Sequence, residues 1–368
     1  MCPPRVDDAR LVLHSVQSWL PLSEQFIHAL VSRSRHRSTV VARLPLEHTD
    51  VFPYRPVHSL GAIPRHLPAP VERRLVTAGL FLVTARRRPA LVHHHHGYRC
   101  QDPIGYVRRR QIPLVLSLHG EDVTAYVRRW PEALQEALDL ASAVLVPSQY
   151  LAERAASIGA RPETLRVIPS GVDTTSFTPS PLPDGPPEAL FVGRFVEKKG
   201  IDTLLAAWTS VRRAVPHATL RLVGFGPLEA QARAGGEGVI VELTNPKCRL
   251  AQVIEAMRRA RVVVSPSRTA ADGDVESLLL VNLEAQASGR PVVTTRHGGI
   301  PEFVEEGRTA LLVPEGDAAA LARAMICVLK DQTLAVSLSR AGPQWVARFD
   351  VEKCTAAVDD LYEELMGS

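Results

Sequence analysis

Two basic residues stand directly after a short apolar run. Arg194 and Lys199 belong to the segment ALFVGRFVEKKG (189–200), in which the apolar letters are typical of a buried strand. An arginine can bind a phosphate through two parallel hydrogen bonds, and a lysine adds a point charge beside it. Gly193 lets the backbone come close to a ligand. A strand end, two cations and the start of the next helix predict a diphosphate-binding site, with a charged surface turn as the alternative.

A second group of candidates is a pair of glutamates, Glu276 and Glu284, in ESLLLVNLEAQ (276–286). If one helix covered both, eight residues would turn about 800°, and the side chains would be ~80° apart around the axis. If Glu276 instead precedes the helix, it lies in a loop. The backbone amides at the start of the helix, near Leu279 and Leu280, could then face an anionic ligand. Glu284 lies among apolar residues, where a buried carboxylate needs a partner such as a pair of sugar hydroxyls. An exposed glutamate is the alternative for Glu284.

These candidates belong to the second of two series of alternating strands and helices. In the first series, near-continuous apolar runs predict buried strands at 9–16, 91–94, 112–120 and 142–148. Segments with helical patterns separate them, among them 23–34 and 71–88. After the proline-rich segment PSPLPDGPP (179–187), which predicts a linker, the alternation starts again. The later strand–turn units are EALFVGR, ATLRLVGFG, ARVVVSPS, RPVVTTRHGG and TALLVPEGD.

This pattern predicts the α/β class, with two Rossmann-like, doubly wound parallel-sheet domains. Strands that are apolar along their whole length are expected in parallel sheets covered on both faces. Ligands of such sheets bind at the carboxyl ends of the strands. The cleft between the two predicted domains is therefore the expected site.

The composition excludes several classes of protein. The chain has 368 residues, of which 45% are hydrophobic and 22% charged, which suits two globular domains. It contains no run of 18 apolar residues, so a membrane-spanning helix is not expected. The first residues lack the apolar core of a signal peptide. The five cysteines are scattered and odd in number, which fits a reducing cytosol.

The charge distribution leaves one open question about partners. The formal net charge of +4 is too small to indicate nucleic acid. Arginines are concentrated at 73–74, 86–88 and 108–110, where they could contact an anionic surface. Solvated helix ends are the simpler explanation, so a peripheral membrane contact is kept as a possibility.

Several ordered motifs resemble a known family. They are VGRFVEKKGIDTLLAAW (192–208), VIPSGVDTTSF (167–177), the E-x7-E pair, GGIPEFVEEGRTALLVPEGD (298–317) and FDVEK (349–353). With them the chain resembles, over nearly its whole length, retaining glycosyltransferases of family 4, which have the GT-B fold. LSEQF (22–26) and TAADGDVES (269–277) are similar to the exopolysaccharide and colanic-acid type. From this resemblance we expect Ser23 to cap the helix that follows, whose amides would replace a glycine loop near the phosphates or the acceptor.

The resemblance implies a division of the chain and a role for each part. Residues 1–182 would bind the acceptor and residues 183–345 the nucleotide-sugar donor. The C-terminal helix in 346–368 would return to the first domain. The implied enzyme is a retaining, metal-independent hexosyltransferase that needs no cofactor. Its mechanism would use the leaving phosphate oxygen as the proton acceptor, with catalysis by positioning and charge stabilisation.

The same resemblance assigns roles to residues of this sequence. Arg194 and Lys199 would bind the donor diphosphate and stabilise the leaving group. Glu284 would bind the ribose hydroxyls and Glu276 the donor sugar. His119, in SLHGEDV (117–123), would lie beside the reacting bond. Gly193, Leu279 and Leu280 complete the implied donor site. The family usually has glycine or proline where Leu279 stands, which puts the contacts to the donor sugar in doubt.

The predicted reaction moves a sugar from a nucleotide-sugar, expected to be a UDP-sugar, to a hydroxyl group. The acceptor would be a saccharide, a lipid-linked saccharide or a small natural product. The expected location is the cytoplasm, with peripheral contact to the inner face of the membrane kept open. Two alternatives remain, a GT-B nucleotide-sugar 2-epimerase and a partner subunit that binds the nucleotide-sugar without catalysis. Nucleic acid is not an expected partner, and the oligomeric state is left open.

A run of four histidines, His93 to His96, lies in LVHHHHG (91–97). Alternate residues of a strand point to opposite faces, so no more than two of the four can serve one metal ion without help from elsewhere. In the resembled family this strand commonly ends V-H-A-H-x-G, and His93 and His95 occupy the matching positions. We therefore expect His93 and His95 to pack or hydrogen-bond on the acceptor side, and we predict no metal site.

Overall fold

The computed structural model describes residues 10–21, 24–64, 67–125, 127, 131–245, 247 and 249–367. Ser23 therefore lies outside the described residues, and its predicted role stays a prediction. The chain divides into two compact units. One consists of Met1–Ser170 together with Glu352–Ser368, and the other is Gly171–Val351.

The first unit contains a seven-stranded parallel sheet with the strand order β3-β2-β1-β4-β5-β6-β7. Its strands are β1 Leu11–Val16, β2 Arg37–Ala42, β3 Val57–Ser59, β4 Leu91–His95, β5 Leu114–Ser117, β6 Ala143–Val146 and β7 Leu165–Val167. The order places β1 directly beside β4, although about 75 residues separate them in the sequence. Polar residues of these two strands therefore become neighbours inside the unit.

Helices connect the strands of the first unit. They are α1 Gln25–Arg33, α2 Ala69–Val83, α3 Ile104–Arg110, α4 Pro131–Leu140 and α5 Gln149–Ser157. Each of the central strands β4, β5 and β6 is buried at every position. Helices on both faces of the sheet explain why these segments read as continuous apolar runs.

The second unit contains a six-stranded parallel sheet with the order β10-β9-β8-β11-β12-β13. Its strands are β8 Glu188–Arg194, β9 Thr219–Phe225, β10 Val239–Leu243, β11 Val262–Ser265, β12 Val292–Thr295 and β13 Ala310–Val313. Its helices are α6 Ile201–Ala214, α7 Glu229–Arg233, α8 Arg249–Arg259, α9 Leu280–Ala287, α10 Ala318–Lys330 and α11 Gln332–Val346. Two parallel sheets covered by helices confirm the predicted fold class.

The last helix, α12 (Val351–Gly367), packs on the sheet of the first unit. Its residues Leu361 and Tyr362 share an apolar cluster with Val12 of β1 and Leu91 of β4. Asp359 accepts hydrogen bonds from the Ser34 hydroxyl at 2.5 Å and from the Arg35 backbone N–H. The final residues of the chain are therefore part of the first unit.

The structure divides the two units at residues 170 and 171, whereas the sequence suggests 182 and 183. The segment between these points is held by Arg290, whose side chain is 1% exposed. Its guanidinium donates to the Ser180 hydroxyl at 2.7 Å and to the Pro181 carbonyl at 3.0 Å. The prolines keep this segment extended, but the buried arginine binds it to the second unit.

Candidate active site

The carboxyl end of β8 brings together the predicted phosphate-binding residues of the second unit. Arg194 is the last residue of β8 and is exposed. Lys198 and Lys199 follow in a single helical turn, directly before α6. A side chain at Gly224 would collide with the carbonyl oxygen of Gly193, so the ends of β8 and β9 lie very close together. The close approach of a ligand to the Gly193 backbone stays a prediction.

Two ion pairs form beside this strand end. The Lys199 ammonium lies 2.7 Å from Oε1 of Glu276, and the Lys198 ammonium lies 2.8 Å from Oδ2 of Asp274. Burial alone would raise the pKa of Glu276, but the charges of Lys199 and Lys198 outweigh it and lower that pKa to about 2. Glu276 is therefore an anion at neutral pH, although its side chain is only 7% exposed.

Glu276 lies in a loop before α9 rather than on the helix, which decides between the two alternatives that the sequence leaves open. His297 fixes this loop by accepting a hydrogen bond from the Glu276 backbone N–H at Nε2, over 3.1 Å. Because Nε2 accepts, the ring proton lies on Nδ1, which donates to Glu315 at 2.7 Å. The Gly299 N–H donates to the Glu276 carbonyl at 3.0 Å. The H-G-G segment after β12 therefore positions Glu276.

Gly298 is the tightest point of this arrangement. Its φ of +52° is left-handed, and a Cβ there would collide with the carbonyl oxygen of Glu276. We expect Gly298→Ala to displace the Glu276 loop and to lower the rate of catalysis by ~10²-fold, as for a reacting group moved by about 1 Å. Initial rates on a donor and acceptor that the protein turns over measure this.

Gly307→Ala is the matched control for Gly298→Ala. Gly307 also has a positive φ, +73°, but a Cβ at this position would meet no other part of the described chain within 4 Å, apart from its own neighbours. Both variants introduce backbone strain, whereas only Gly298→Ala pushes on Glu276. Equal losses of activity in the two variants would contradict the positioning role.

The start of α9 is held by buried polar side chains. The Ser265 hydroxyl donates to Oδ1 of Asn282 at 2.5 Å, and the Asn282 amide donates to Thr294. Glu284 lies in the second turn, 4% exposed, and burial raises its pKa. Leu279 belongs to the apolar core, and Leu280 is the first residue of the helix. The leucine at position 279 is thus used for packing.

At the carboxyl ends of β4 and β5 in the first unit, Asp122 ties two loops together. Its side chain is buried and accepts hydrogen bonds from the backbone N–H groups of Gly97 and His119, both at 2.7 Å. The ring of His119 lies 4.7 Å from that of Phe26, centroid to centroid. His119 therefore has a defined position at the end of β5, as the H-G-E-D segment suggests.

His96 and His119 lie side by side in opposite protonation states. Burial would lower the pKa of His96, but Asp122 and Glu24, 3.7 and 3.4 Å away, outweigh it and raise that pKa to about 10. Burial and the charge of His96 lower the pKa of His119 to about 3. The two rings are 4.5 Å apart. At neutral pH His96 is a cation and His119 a neutral imidazole.

His93 and His95 point to the same face of β4, where His14 of β1 joins them. His14 Nδ1 lies 3.0 Å from His95 Nε2, and the rings of His93 and His95 stack at 4.0 Å. His93 is fully buried and hydrogen-bonds to the Tyr362 hydroxyl at 2.5 Å and to the Ser117 hydroxyl at 2.6 Å. The geometry thus supports packing and hydrogen bonding inside the unit. Contact of His93 or His95 with an acceptor stays a prediction.

Among the residues that the structure describes, the same three histidines form a group that could bind a metal ion. One nitrogen from each of His14, His93 and His95 lies within 4.8 Å of the others. A metal would have to replace the His14–His95 hydrogen bond. The third histidine, His14, lies on β1. The alternation of side chains along the histidine run of β4 could not predict its presence. The absence of a metal requirement stays a prediction.

The structure brings Lys199, Glu276 and the strand end at Arg194 together and places Glu284 on α9, and the roles of these residues stay predictions. It adds side chains that sequence reasoning missed. These are Lys198, Asp274, His297 and Glu315 in the second unit and Glu24, His96 and Asp122 in the first. The alternating acids of DGDVE (272–276) and the H-G-G segment (297–299) were the available signals.

The fold and this site define a class, the GT-B glycosyltransferases, and comparison with known proteins agrees. Residues 24–176 match the family model "Glycosyltransferase Family 4", and residues 186–331 match "Glycosyl transferases group 1". The chain belongs to the family 4 glycosyltransferases, as the sequence motifs indicated.

Relatives from bacteria are similar over part of their length. A Salmonella typhimurium protein named for colanic acid biosynthesis is 35% identical over 211 residues, which are 55% of this chain and 52% of that protein. A Mycolicibacterium smegmatis protein named GDP-mannose-dependent alpha-(1-6)-phosphatidylinositol monomannoside mannosyltransferase is 35% identical over 248 residues, 63% of this chain and 65% of that protein. The matches therefore span about half to two thirds of these relatives.

Solved structures share the fold. HepE of Anabaena, in complex with UDP-glucose, superposes with a TM-score of 0.77 and 20% identity, over 96% of this chain and 100% of that chain. Sucrose-phosphate synthase of Thermosynechococcus elongatus has a TM-score of 0.77 and 23% identity, over 97% and 99% of the two chains. At these identities the likeness concerns the fold.

Proposed function

We propose that this protein is a retaining glycosyltransferase that transfers a hexose from a nucleotide-sugar to a hydroxyl group. The observation that carries the proposal is the cluster at the end of β8, where Lys199 and Glu276 form a buried ion pair beside Arg194. The cations fit a diphosphate, and the glutamate fits sugar hydroxyls. We further propose a UDP-sugar as donor. The relative named above for GDP-mannose makes a guanosine donor the first alternative to test.

The proposed chemistry rests on charge and position. Lys199 and Arg194 would stabilise the negative charge that develops on the departing diphosphate, without a metal ion or a cofactor. Glu284 would bind the ribose hydroxyls. On binding, Lys199 would exchange part of its contact with Glu276 for a phosphate oxygen, which frees Glu276 for the sugar. The leaving phosphate oxygen would take the proton of the acceptor hydroxyl on the attacked face. His119, as a neutral imidazole, would hydrogen-bond the donor sugar.

A screen of UDP-, GDP- and dTDP-sugars with product analysis tests this function. Release of the nucleoside diphosphate together with a glycosylated saccharide, lipid-linked saccharide or natural-product acceptor, with retained anomeric configuration, is the expected result. An epimerised sugar nucleotide formed without acceptor would instead show the 2-epimerase. Nucleotide binding by calorimetry, without transfer to any acceptor, would indicate a non-catalytic partner subunit.

We also propose that α2 contacts an anionic membrane surface, so that the enzyme works in the cytoplasm at the inner face of the membrane. No helix in the described part of the chain is long and apolar enough to cross a bilayer. One face of α2 exposes Val71, Leu75 and Leu82, with Leu82 78% exposed. Arg74 lies on α2, and three exposed arginines follow it at 86–88. An exposed apolar stripe flanked by cations is complementary to anionic lipid headgroups.

Not all of the basic residues are available for such a surface. Arg73 and Arg108 both bind Glu136, at 3.1 and 3.0 Å, and the Arg110 guanidinium lies over the Phe81 ring. These three arginines are therefore already bound to other side chains of the protein. The cations that support the membrane proposal are therefore Arg74 and the arginines at 86–88.

Sedimentation with phosphatidylglycerol vesicles, compared with phosphatidylcholine vesicles, tests the membrane contact. Each arginine near an anionic surface contributes about 1 kcal/mol, so replacing Arg86, Arg87 and Arg88 by glutamine is expected to weaken partitioning ~100-fold. Leu82→Gln should weaken it as well, while the thermal stability of both variants stays near that of the wild type. Equal binding to both kinds of vesicle, or binding to neither, would refute the proposal.

A further inference from the structure

The loop that carries Glu276 also fixes a second carboxylate, that of Asp274. The Gly273 N–H donates to the Ala270 carbonyl at 2.8 Å, and the Ala270 N–H donates to the Asp274 carbonyl at 3.0 Å. Oδ1 of Asp272 accepts from the Asp274 N–H at 3.0 Å. Gly273 has a φ of +85°, which a glycine adopts without strain. The turn therefore holds Asp274 in one place.

Asp274 and Glu276 stand two residues apart with the buried Val275 between them. In an extended segment such residues point to the same side, and the ion pairs confirm this. Asp274 binds Lys198 while Glu276 binds Lys199. The result is a compact cluster of two acids and two lysines with no net charge, beside the exposed Arg194.

One oxygen of this cluster is not used. Oδ2 of Asp274 contacts Lys198, whereas Oδ1 is buried and has no hydrogen-bond partner among the residues that the structure describes. A buried carboxylate oxygen without a hydrogen bond is unfavourable, and such atoms are rare in folded proteins. The missing partner must be a donor. Lys198 is already paired with Asp274, so a hydroxyl group fits beside Oδ1 and a further carboxylate at this position does not.

We propose that Asp274 is a substrate-binding residue that accepts a hydrogen bond from a hydroxyl of the donor sugar. It would thereby select neutral hexoses over hexuronic acids. This inference rests on the proposed function, because it assumes that Glu276 faces the sugar. A hexuronic acid would bring a carboxylate next to Asp274, and Lys198 is already paired. The site would thus reject that sugar by repulsion rather than by shape.

Asp274→Asn tests the inference, because it keeps the size of the side chain and removes its charge. Calorimetry would measure the Kd of UDP, UDP-glucose and UDP-glucuronate, or of GDP, GDP-mannose and GDP-mannuronate if the screen selects guanosine. Bare UDP is the internal reference, since it lacks the sugar. We expect the affinity for UDP-glucose, relative to UDP, to fall about 10- to 100-fold, as for a lost hydrogen bond to a charged group. Relative affinity for UDP-glucuronate should rise, because Lys198 is freed.

Two further variants make the result specific. Lys198→Met/Asp274→Asn removes both charges, so it should show the same loss for UDP-glucose without the gain for UDP-glucuronate. Asp184→Asn changes the net charge by the same amount at an exposed position before β8 and should leave all three affinities unchanged. Thermal unfolding checks that each variant is folded.

The outcomes separate this inference from the proposed function. If the wild type transfers a hexose and Asp274→Asn keeps the wild-type ratio of affinities for UDP-glucose and UDP, the inference is wrong and the function stands. If the wild type binds UDP but transfers nothing, the proposed function fails. In that case a loss of UDP-glucose affinity in Asp274→Asn would still support the sugar contact.

Discussion

Lys199→Met is expected to lower kcat/KM for sugar transfer by ~10²- to 10³-fold, the effect of removing one group that stabilises charge in a transition state. Methionine has a similar length but carries no charge. The reason is geometric, since the Lys199 ammonium lies 2.7 Å from Glu276 at the end of β8, where a departing diphosphate would need a cation. Initial rates with the donor selected by the screen measure the effect.

This substitution also leaves Glu276 buried and unpaired, which by itself costs about 3–5 kcal/mol of stability. The double variant Lys199→Met/Glu276→Gln removes both charges and should recover most of that stability while remaining inactive. Lys330→Met, at an exposed site at the end of α10, is the control for losing a lysine. Recovery of activity together with stability in the double variant would show that Lys199 acts through folding alone.

Acidification from pH 7 to pH 5 is expected to unfold the first unit. Burial lowers the pKa of several of its histidines, among them His14, His93, His94, His95 and His119. These groups stay neutral in the folded state, whereas the unfolded chain binds protons below its ordinary pKa of about 6.5. The unfolded state thus binds more protons as the pH falls, and each group costs up to about 1.4 kcal/mol per pH unit. Five groups together approach the ~5–15 kcal/mol of a typical domain within two pH units.

His96 contributes with the opposite sign. Its pKa in the folded state is about 10, so its stabilising effect is complete below pH ~6.5 and is lost as the pH rises toward 10. It therefore adds nothing to the acid transition and weakens the unit in alkali. The contribution of these histidines to the free energy of unfolding should therefore be largest near pH 6.5 to 7.

Hydrogen exchange followed peptide by peptide between pH 7 and pH 5, with exchange rates corrected for pH, would measure this transition. Peptides of the first unit should lose protection first, because the second unit contains only His217 and His297. His94→Gln should reduce the number of protons taken up on unfolding by about one. His217→Gln, at an exposed site of the second unit, is the control for losing a histidine. A transition that begins only below pH 4, where carboxylates titrate, would contradict the prediction.

Many strands and helices of both units could be predicted from the sequence because these segments carry their own patterns, whereas β2, β3, β7 and β10 were not predicted. Continuous apolar runs marked β1, β4, β5 and β6, and the later strand–turn units marked β8, β9 and β11 to β13. Sequence order also sufficed to place Arg194 and Lys199 at the end of β8, since a strand end and the next helix are neighbours in the chain. The motif resemblance added the assignment of Glu276 and Glu284 to one site.

The start of α9 could not be fixed from the sequence. The N-cap of α9 is Leu279, which has no side-chain oxygen to mark a helix start, and the apolar run L-L-L-V fits a helix that begins at any of several positions. Hydrogen bonds to the backbone of Glu276 involve His297 and Gly299, which belong to the segment after β12, and they hold Glu276 in a loop. The position of a candidate site residue thus depended on contacts about 20 residues away.

The sequence by itself determined the fold class, the order of its elements and the local signals of a diphosphate site. The tertiary structure alone decided which distant groups meet. It placed His14 beside His93 and His95, paired Lys198 with Asp274, and made His96 a cation between Glu24 and Asp122. The physical reason is that local patterns depend on neighbours in the chain. Sheet order and burial instead bring together residues that are far apart in it, and they set the charge of those residues.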